Sequence, residues 1–136
     1  MNKKVLVLSR HDFIKFVGTL TPKQVSEIAF ISIRDFNYPI ILSDSDNVLN
    51  LQFDDCEDNS PRLFNNNLAK QIIQFTENNL DKNLFVVHCL MGQSRSGAVG
   101  GWLADKFEIP WESFKRLNPQ VTPNTLVKIK LQQNDR

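Results

Sequence analysis

The stretch His88-Cys89-Leu90-Met91-Gly92-Gln93-Ser94-Arg95-Ser96 constrains this chain more than any other. It is preceded by Leu84-Phe85-Val86-Val87, a short apolar β-former. It is followed by Gly97-Ala98-Val99-Gly100-Gly101-Trp102-Leu103-Ala104, which suits a buried helix. The pattern is strand, tight loop, helix, with the loop facing a helix N-terminus. Such a loop aims several backbone N–H groups at one point, and the helix end adds partial positive charge. A dianionic phosphate fits there, and the same field favours a thiolate over a thiol. Arg95 can close on two oxygens of such an anion with a planar grip that lysine does not reproduce. Nucleophile and anion cradle therefore occupy the same nine residues.

A chain of 136 residues supports one domain with one core. With 41% hydrophobic and 23% charged residues it has the balance of an ordinary globule. The net charge of +1 provides no bulk field toward nucleic acid or an anionic membrane, so anion binding must be local. No apolar run approaches the length of a membrane span. The apolar run after Lys3-Lys4 is too short for a secretory signal and reads as a first core strand. Two cysteines, Cys56 and Cys89, are too few for a disulfide scaffold. A catalytic thiol needs a reducing compartment, so a cytoplasmic location is expected.

Strands are expected at 5–8, 29–33, 48–53 and 84–87. Helical segments are expected at 12–17, from Thr21-Pro22 to about Ile28, from Leu68 to about Asn78, after the signature loop, and from Pro110 to about Leu117. Thr122-Pro123 has the cap-plus-proline form of a last helix start. The expected fold class is α/β: a single domain, 1–136, with a mainly parallel central sheet flanked by helices. In such sheets ligands bind beyond the carboxyl ends of the strands. There the sequence places Arg10 and His11, Arg34 and Asp35, Asp54 and Asp55, and the stretch from Cys89 to Arg95. Arg10, His11 and Arg34 individually read as solvated loop residues.

His88-Cys89, five intervening residues, then Arg95-Ser96 resembles the phosphate-binding loop of the cysteine-dependent protein tyrosine phosphatase superfamily. The string Ser94-Arg95-Ser96 is most similar to its compact dual-specificity branch. Two further elements join the resemblance: the acidic run Phe53-Asp54-Asp55-Cys56-Glu57-Asp58, and Asn118-Pro119-Gln120-Val121-Thr122-Pro123-Asn124 before the last helix. The resemblance implies a phosphatase-like fold and hydrolysis of phosphate monoesters through a phosphocysteine. Its expected parts are Cys89 as nucleophile, Leu90, Met91, Gly92, Gln93, Ser94 and Arg95 as the phosphate cradle, and Ser96 hydrogen-bonding the sulfur. An aspartate would act as general acid: Asp55 by the family's pattern, with Asp54 and Asp58 as alternatives. Asp54 and Asp55 face opposite sides of an extended segment, so both cannot point at the phosphate. His88 is expected as a buried brace and Asn124 as a support of the loop.

The acidic run could also hold Mg²⁺ or Ca²⁺, but its spacing matches no calcium loop, so no metal and no cofactor is expected. Leu90, Met91 and Gln93 are not cationic, which disfavours polyphosphorylated lipid substrates. The expected partner is a phosphorylated protein or peptide, carrying phosphotyrosine and also phosphoserine or phosphothreonine. No nucleic acid or membrane partner is expected, and the chain is expected to be a monomer. A phosphate-recognition module without turnover is an alternative that the intact Cys89, Arg95 and acidic run oppose. A phosphatase of RNA 5′ ends would need a basic track that is absent. Cys56, next to the candidate acid, could trap oxidised Cys89 as a disulfide; a half-buried apolar thiol is the plainer reading.

Overall fold

The computed structural model describes residues 2–55 and 63–135. Its elements run β1 (Lys4–Ser9), α1 (Arg10–Gly18), α2 (Pro22–Ser26), β2 (Ala29–Arg34), β3 (Val48–Gln52), α3 (Asn66–Asn78), β4 (Leu84–Cys89), α4 (Arg95–Lys106), α5 (Trp111–Leu117) and α6 (Thr125–Asn134). The four strands lie in the order β1-β4-β2-β3, and every ladder between them is parallel. The fold is therefore α/β, with a parallel sheet between helices.

Strand alternation decides which helix lies where. Val5, Val7, Ala29, Ile31, Ile33, Phe85 and Val87 face one side and pack with Ile72, Ala98, Val99, Leu103, Phe114 and Leu131 of the helices α3 to α6. Leu6, Leu8, Phe30 and Val86 face the other side, against Phe13, Phe16 and Val17 of α1 and Val25 of α2. Both faces are covered, so β2 and β4 read as near-continuous apolar runs. β1 leads to α1 on one face and its neighbour β4 leads to α4 on the other. The crevice between these diverging connections is where α/β sheets take ligands, and Cys89 stands at its floor.

The outer edge of β1 is not left open. Asn118, fully buried, accepts from Val7 N at 2.7 Å through Oδ1 and donates through Nδ2 to Val5 O at 2.9 Å and Phe114 O at 3.1 Å. One side-chain amide thus stands in for a further strand, which protects the edge.

The expected helix start at Thr122-Pro123 is corrected. The last helix begins at Thr125 with Asn124 as its N-cap, whose side chain accepts from Val127 N. The backbone amides of Thr122 and Asn124 donate instead to Gln93 O and Ser94 O, both at 3.0 Å. These bonds hold the segment against the signature loop and postpone the helix. Likewise β3 stops at Gln52, because the carbonyl of Phe53 turns to accept from Arg95.

Candidate active site

The signature loop is pinned by its carbonyls. Leu90 O accepts from Arg10 N at 3.1 Å, Gly92 O from Gln120 Nε2 at 3.1 Å, Gln93 O from Thr122 N and Ser94 O from Asn124 N. No peptide among the described residues is cis. In a trans peptide the carbonyl and the following N–H point in opposite directions. Four outward carbonyls therefore turn the N–H groups of Met91, Gln93, Ser94 and Arg95 away from the scaffold, into the loop. Gly92 is required for this path. Its φ is +70°, and a Cβ there would lie 2.4 Å from Ser9 N and 2.5 Å from the carbonyl carbon of Leu8.

The helix behind the loop is left open at its N-terminus. Ser9, Thr21, Asn65 and Asn124 cap α1, α2, α3 and α6 with side-chain oxygens. The N-cap of α4, Ser94, makes no such bond. Its hydroxyl donates to Asp55 Oδ1 at 2.8 Å instead. The first amides of a twelve-residue helix thus remain for an anion. Close packing of α4 on β1 relies on Gly100, where a Cβ would sit 2.7 Å from Val7 Cγ2.

Cys89 ends β4, is 2% exposed, and its Sγ lies 3.0 Å from Ser96 Oγ. Arg95, 4% exposed, is held by a residue that the sequence placed at the carboxyl edge of the sheet but gave no role. Asp35, just past β2, accepts from Arg95 NH1 at 2.7 Å and from NH2 at 3.4 Å. Phe53 O accepts the other NH1 proton at 2.9 Å. A guanidinium has five N–H donors, and these contacts use three. The two that remain are Nε–H and the second proton of NH2, which lie side by side on one edge. Nε is buried and has no hydrogen-bond partner among the described residues. That edge has the geometry of a two-pronged oxyanion grip. Burial disfavours the Arg95 charge, but the hydrogen bond it donates to Asp35 and the charges of Cys89, Asp35 and Asp55 outweigh it, so the pKa is raised.

Asp55 is exposed at the lip of the loop, and its Oδ1 accepts from both Ser94 Oγ and Asn124 Nδ2, the latter at 2.9 Å. Asp54 makes neither contact. Asp58 and Cys56, the alternative acid and the candidate redox partner, lie outside the described residues. Asn124 meets the loop through its backbone amide, while its side chain caps α6 and holds Asp55. Gln120 Nε2 bridges Val7 O and Gly92 O and so ties β1 to the loop. No group of three or more metal-ligating side chains occurs among the described residues.

His88 is fully buried and stacks on Phe13 with ring centroids 4.0 Å apart. Its Nδ1 lies 3.4 Å from Cys89 O, which can only accept, so Nδ1 carries the proton. Nε2 then accepts from Ser32 Oγ at 2.5 Å. Burial is the main force pushing the pKa of His88 down to about 4, against the backbone hydrogen bond to Cys89. The imidazole is neutral at ordinary pH.

Arg10 and Arg34 are not the solvated residues the sequence suggested. Arg10 donates to Pro39 O at 3.1 Å and stands 5.0 Å over the Tyr38 ring, while Arg34 donates to Tyr38 O at 3.0 Å. Both are drawn in because the turn after β2 offers them carbonyls. Asp35 was detectable in principle: a buried arginine needs a counter-charge, and Asp35 is an acid at a strand's carboxyl end. Its distance of 60 residues from Arg95 hid the pairing.

No helix among the described residues is long and apolar enough to cross a membrane. No protein-family model and no curated protein matches the chain. Among solved structures, the chain is similar to Tk-PTP in its active form, a protein tyrosine phosphatase, with a TM-score of 0.55 at 16% identity over 99% of this chain and 92% of that one. At that identity the likeness shows a shared fold.

Proposed function

We propose that this chain is a phosphatase that hydrolyses phosphate monoesters on proteins through a cysteinyl-phosphate intermediate. The observation that carries this reading is the free edge of buried Arg95, fixed from behind by Asp35, beside Cys89 at an uncapped helix N-terminus. The fold shared with Tk-PTP, a tyrosine phosphatase, supports it.

Uncatalysed hydrolysis of these esters is so slow that a barrier reduction of roughly 20 kcal/mol is required. The loop amides and Arg95 bind the three phosphoryl oxygens and match the charge of the transition state. The Cys89 thiolate attacks phosphorus, forming S–P as the ester P–O bond breaks. Both donors to Asp55 meet Oδ1, so in the neutral acid the proton sits on Oδ2 and passes from there to the leaving oxygen. The ionised Asp55 then takes a proton from water as that water attacks the phosphocysteine. Ser96, donating to the departing sulfur, stabilises the thiolate. His88, neutral and fully bonded, orients the start of the loop and moves no proton.

The test is phosphate release from an aryl phosphate by the full chain. Cys89→Ser should abolish turnover yet still bind vanadate, because the amides and Arg95 remain. Arg95→Lys should lose most activity, because the two-pronged edge is gone. Steady turnover by Cys89→Ser, or near-normal Arg95→Lys, removes the assignment.

A further inference from the structure

A cavity of about 670 Å³ lies at the far end of β1 from Cys89, between the start of that strand and the segment from Phe107 to Leu117. Its size is that of a ligand site. Its wall is apolar, with Ile109, Phe114 and Leu117, the last 48% exposed. Its rim carries Lys3, Lys4 and Arg116 against one acid, Glu108. Lys3 is engaged by Leu80 O and Lys82 O, whereas Lys4 and Arg116 are exposed.

The edge of β1 runs into this cavity. Lys4 N donates to Asn83 O, and Lys4 faces Leu84 in the ladder with β4. In trans peptides this turns Lys3 O and Val5 N the other way, outward from the sheet. Asn118 and Gln120 cover the edge from Val5 O to Val7 O. Neither reaches Val5 N or Lys3 O, and both groups lack a partner among the described residues, although Val5 is only 2% exposed. A backbone group so placed requires one.

We infer that this end of β1 docks an extended acidic segment of a partner protein, added to the sheet as a short further strand. One residue of a parallel strand can donate to Lys3 O and accept from Val5 N. Side chains of such a strand alternate. Those on the side of Val5 cover the apolar wall at Ile109 and Phe114. Those on the other side meet the ammonium of Lys4, and Arg116 adds a second cation at the rim. The main-chain pairing supplies affinity, and the cations select acidic segments over neutral ones. The site lies about 17 Å along the strand from the phosphate loop, so its occupant leaves the catalytic crevice free. It does not depend on the phosphatase reading.

The experiment measures fluorescence anisotropy of a labelled, end-blocked peptide of alternating glutamate and valine titrated with the full chain. One control replaces glutamate by glutamine, and another N-methylates the central amides. The glutamate peptide should bind saturably and about tenfold tighter than either control, with affinity falling as salt rises. The double variant Lys4→Glu, Arg116→Glu should weaken it about tenfold while circular dichroism is unchanged. Hydrogen exchange of the Val5 amide should slow when the peptide is bound, a readout that needs no variant. Equal binding of the three peptides, wild-type affinity in the double variant, or an unchanged Val5 amide overturns the inference. Capture of the wild type by phosphatidylserine vesicles without peptide binding assigns the cations to a membrane surface and overturns it as well.

Discussion

Asp35 Oδ1 stands 2.7 Å from Arg95 NH1, with the arginine side chain 5% and the aspartate side chain 30% exposed. This pair turns a flexible cation into a fixed tool. It occupies the terminal fork and aims the remaining edge at the loop. It also keeps the buried charge compensated, since an unpaired guanidinium there would carry a large desolvation cost.

Asp35→Asn should therefore separate binding from chemistry. The lost negative charge favours anion binding, while the loosened fork opposes it, so KM should change by less than about threefold. Turnover should fall by about one to two orders of magnitude, because the grip is no longer held for the transition state. Steady-state kinetics on an aryl phosphate decide. An unchanged kcat removes the positioning role.

The acid is tested by its leaving-group dependence. Asp55→Asn should cut turnover by roughly 10² to 10⁴, most for alkyl phosphates and least for an activated nitrophenyl ester that departs nearly unaided. Asp54→Asn should cost little, since Asp55 and not Asp54 accepts from Ser94 and Asn124. Reversed behaviour of the two variants would assign the proton to Asp54, and indifference to both would point to Asp58.

Burial of His88 makes stability depend on pH in a defined direction. Its folded-state pKa of about 4 lies below the ordinary 6.5. As pH falls, the unfolded chain takes up this proton first. The contribution of His88 is thus fully present above about pH 6.5 and is lost progressively toward pH 4, up to about 3 kcal/mol. Urea unfolding across this range should show a steeper acid loss for wild type than for His88→Gln. Parallel curves would mean that the imidazole is not held neutral.

Gly92 should tolerate no side chain. Gly92→Ala adds a left-handed strain of about 1–2 kcal/mol and sets a methyl against the backbone of Leu8 and Ser9, which cannot move without disturbing β1. Vanadate affinity and turnover should both collapse, with thermal unfolding shifted down but still cooperative. Normal vanadate binding would show that the loop has another accessible path.

Much of this protein was readable along the chain because its cause is local. The apolar runs of β2 and β4, the capping side chain at Thr21, and the spacing from Cys89 to Arg95 each report interactions within a few residues. Strand alternation sets which side chains of β1 share a face, but that α4 covers one face and α1 the other came from the crossovers. What the tertiary structure alone decided are pairings whose partners are far apart in sequence. Asp35 meets Arg95 across 60 residues, Asn118 meets β1 across more than 110, and Asn124 meets Asp55 across 69. A buried guanidinium and an open strand edge each require a partner, whereas the exposed Asp55 could equally have been left to water. Which residue meets such a requirement depends on where the parallel crossovers bring the chain back.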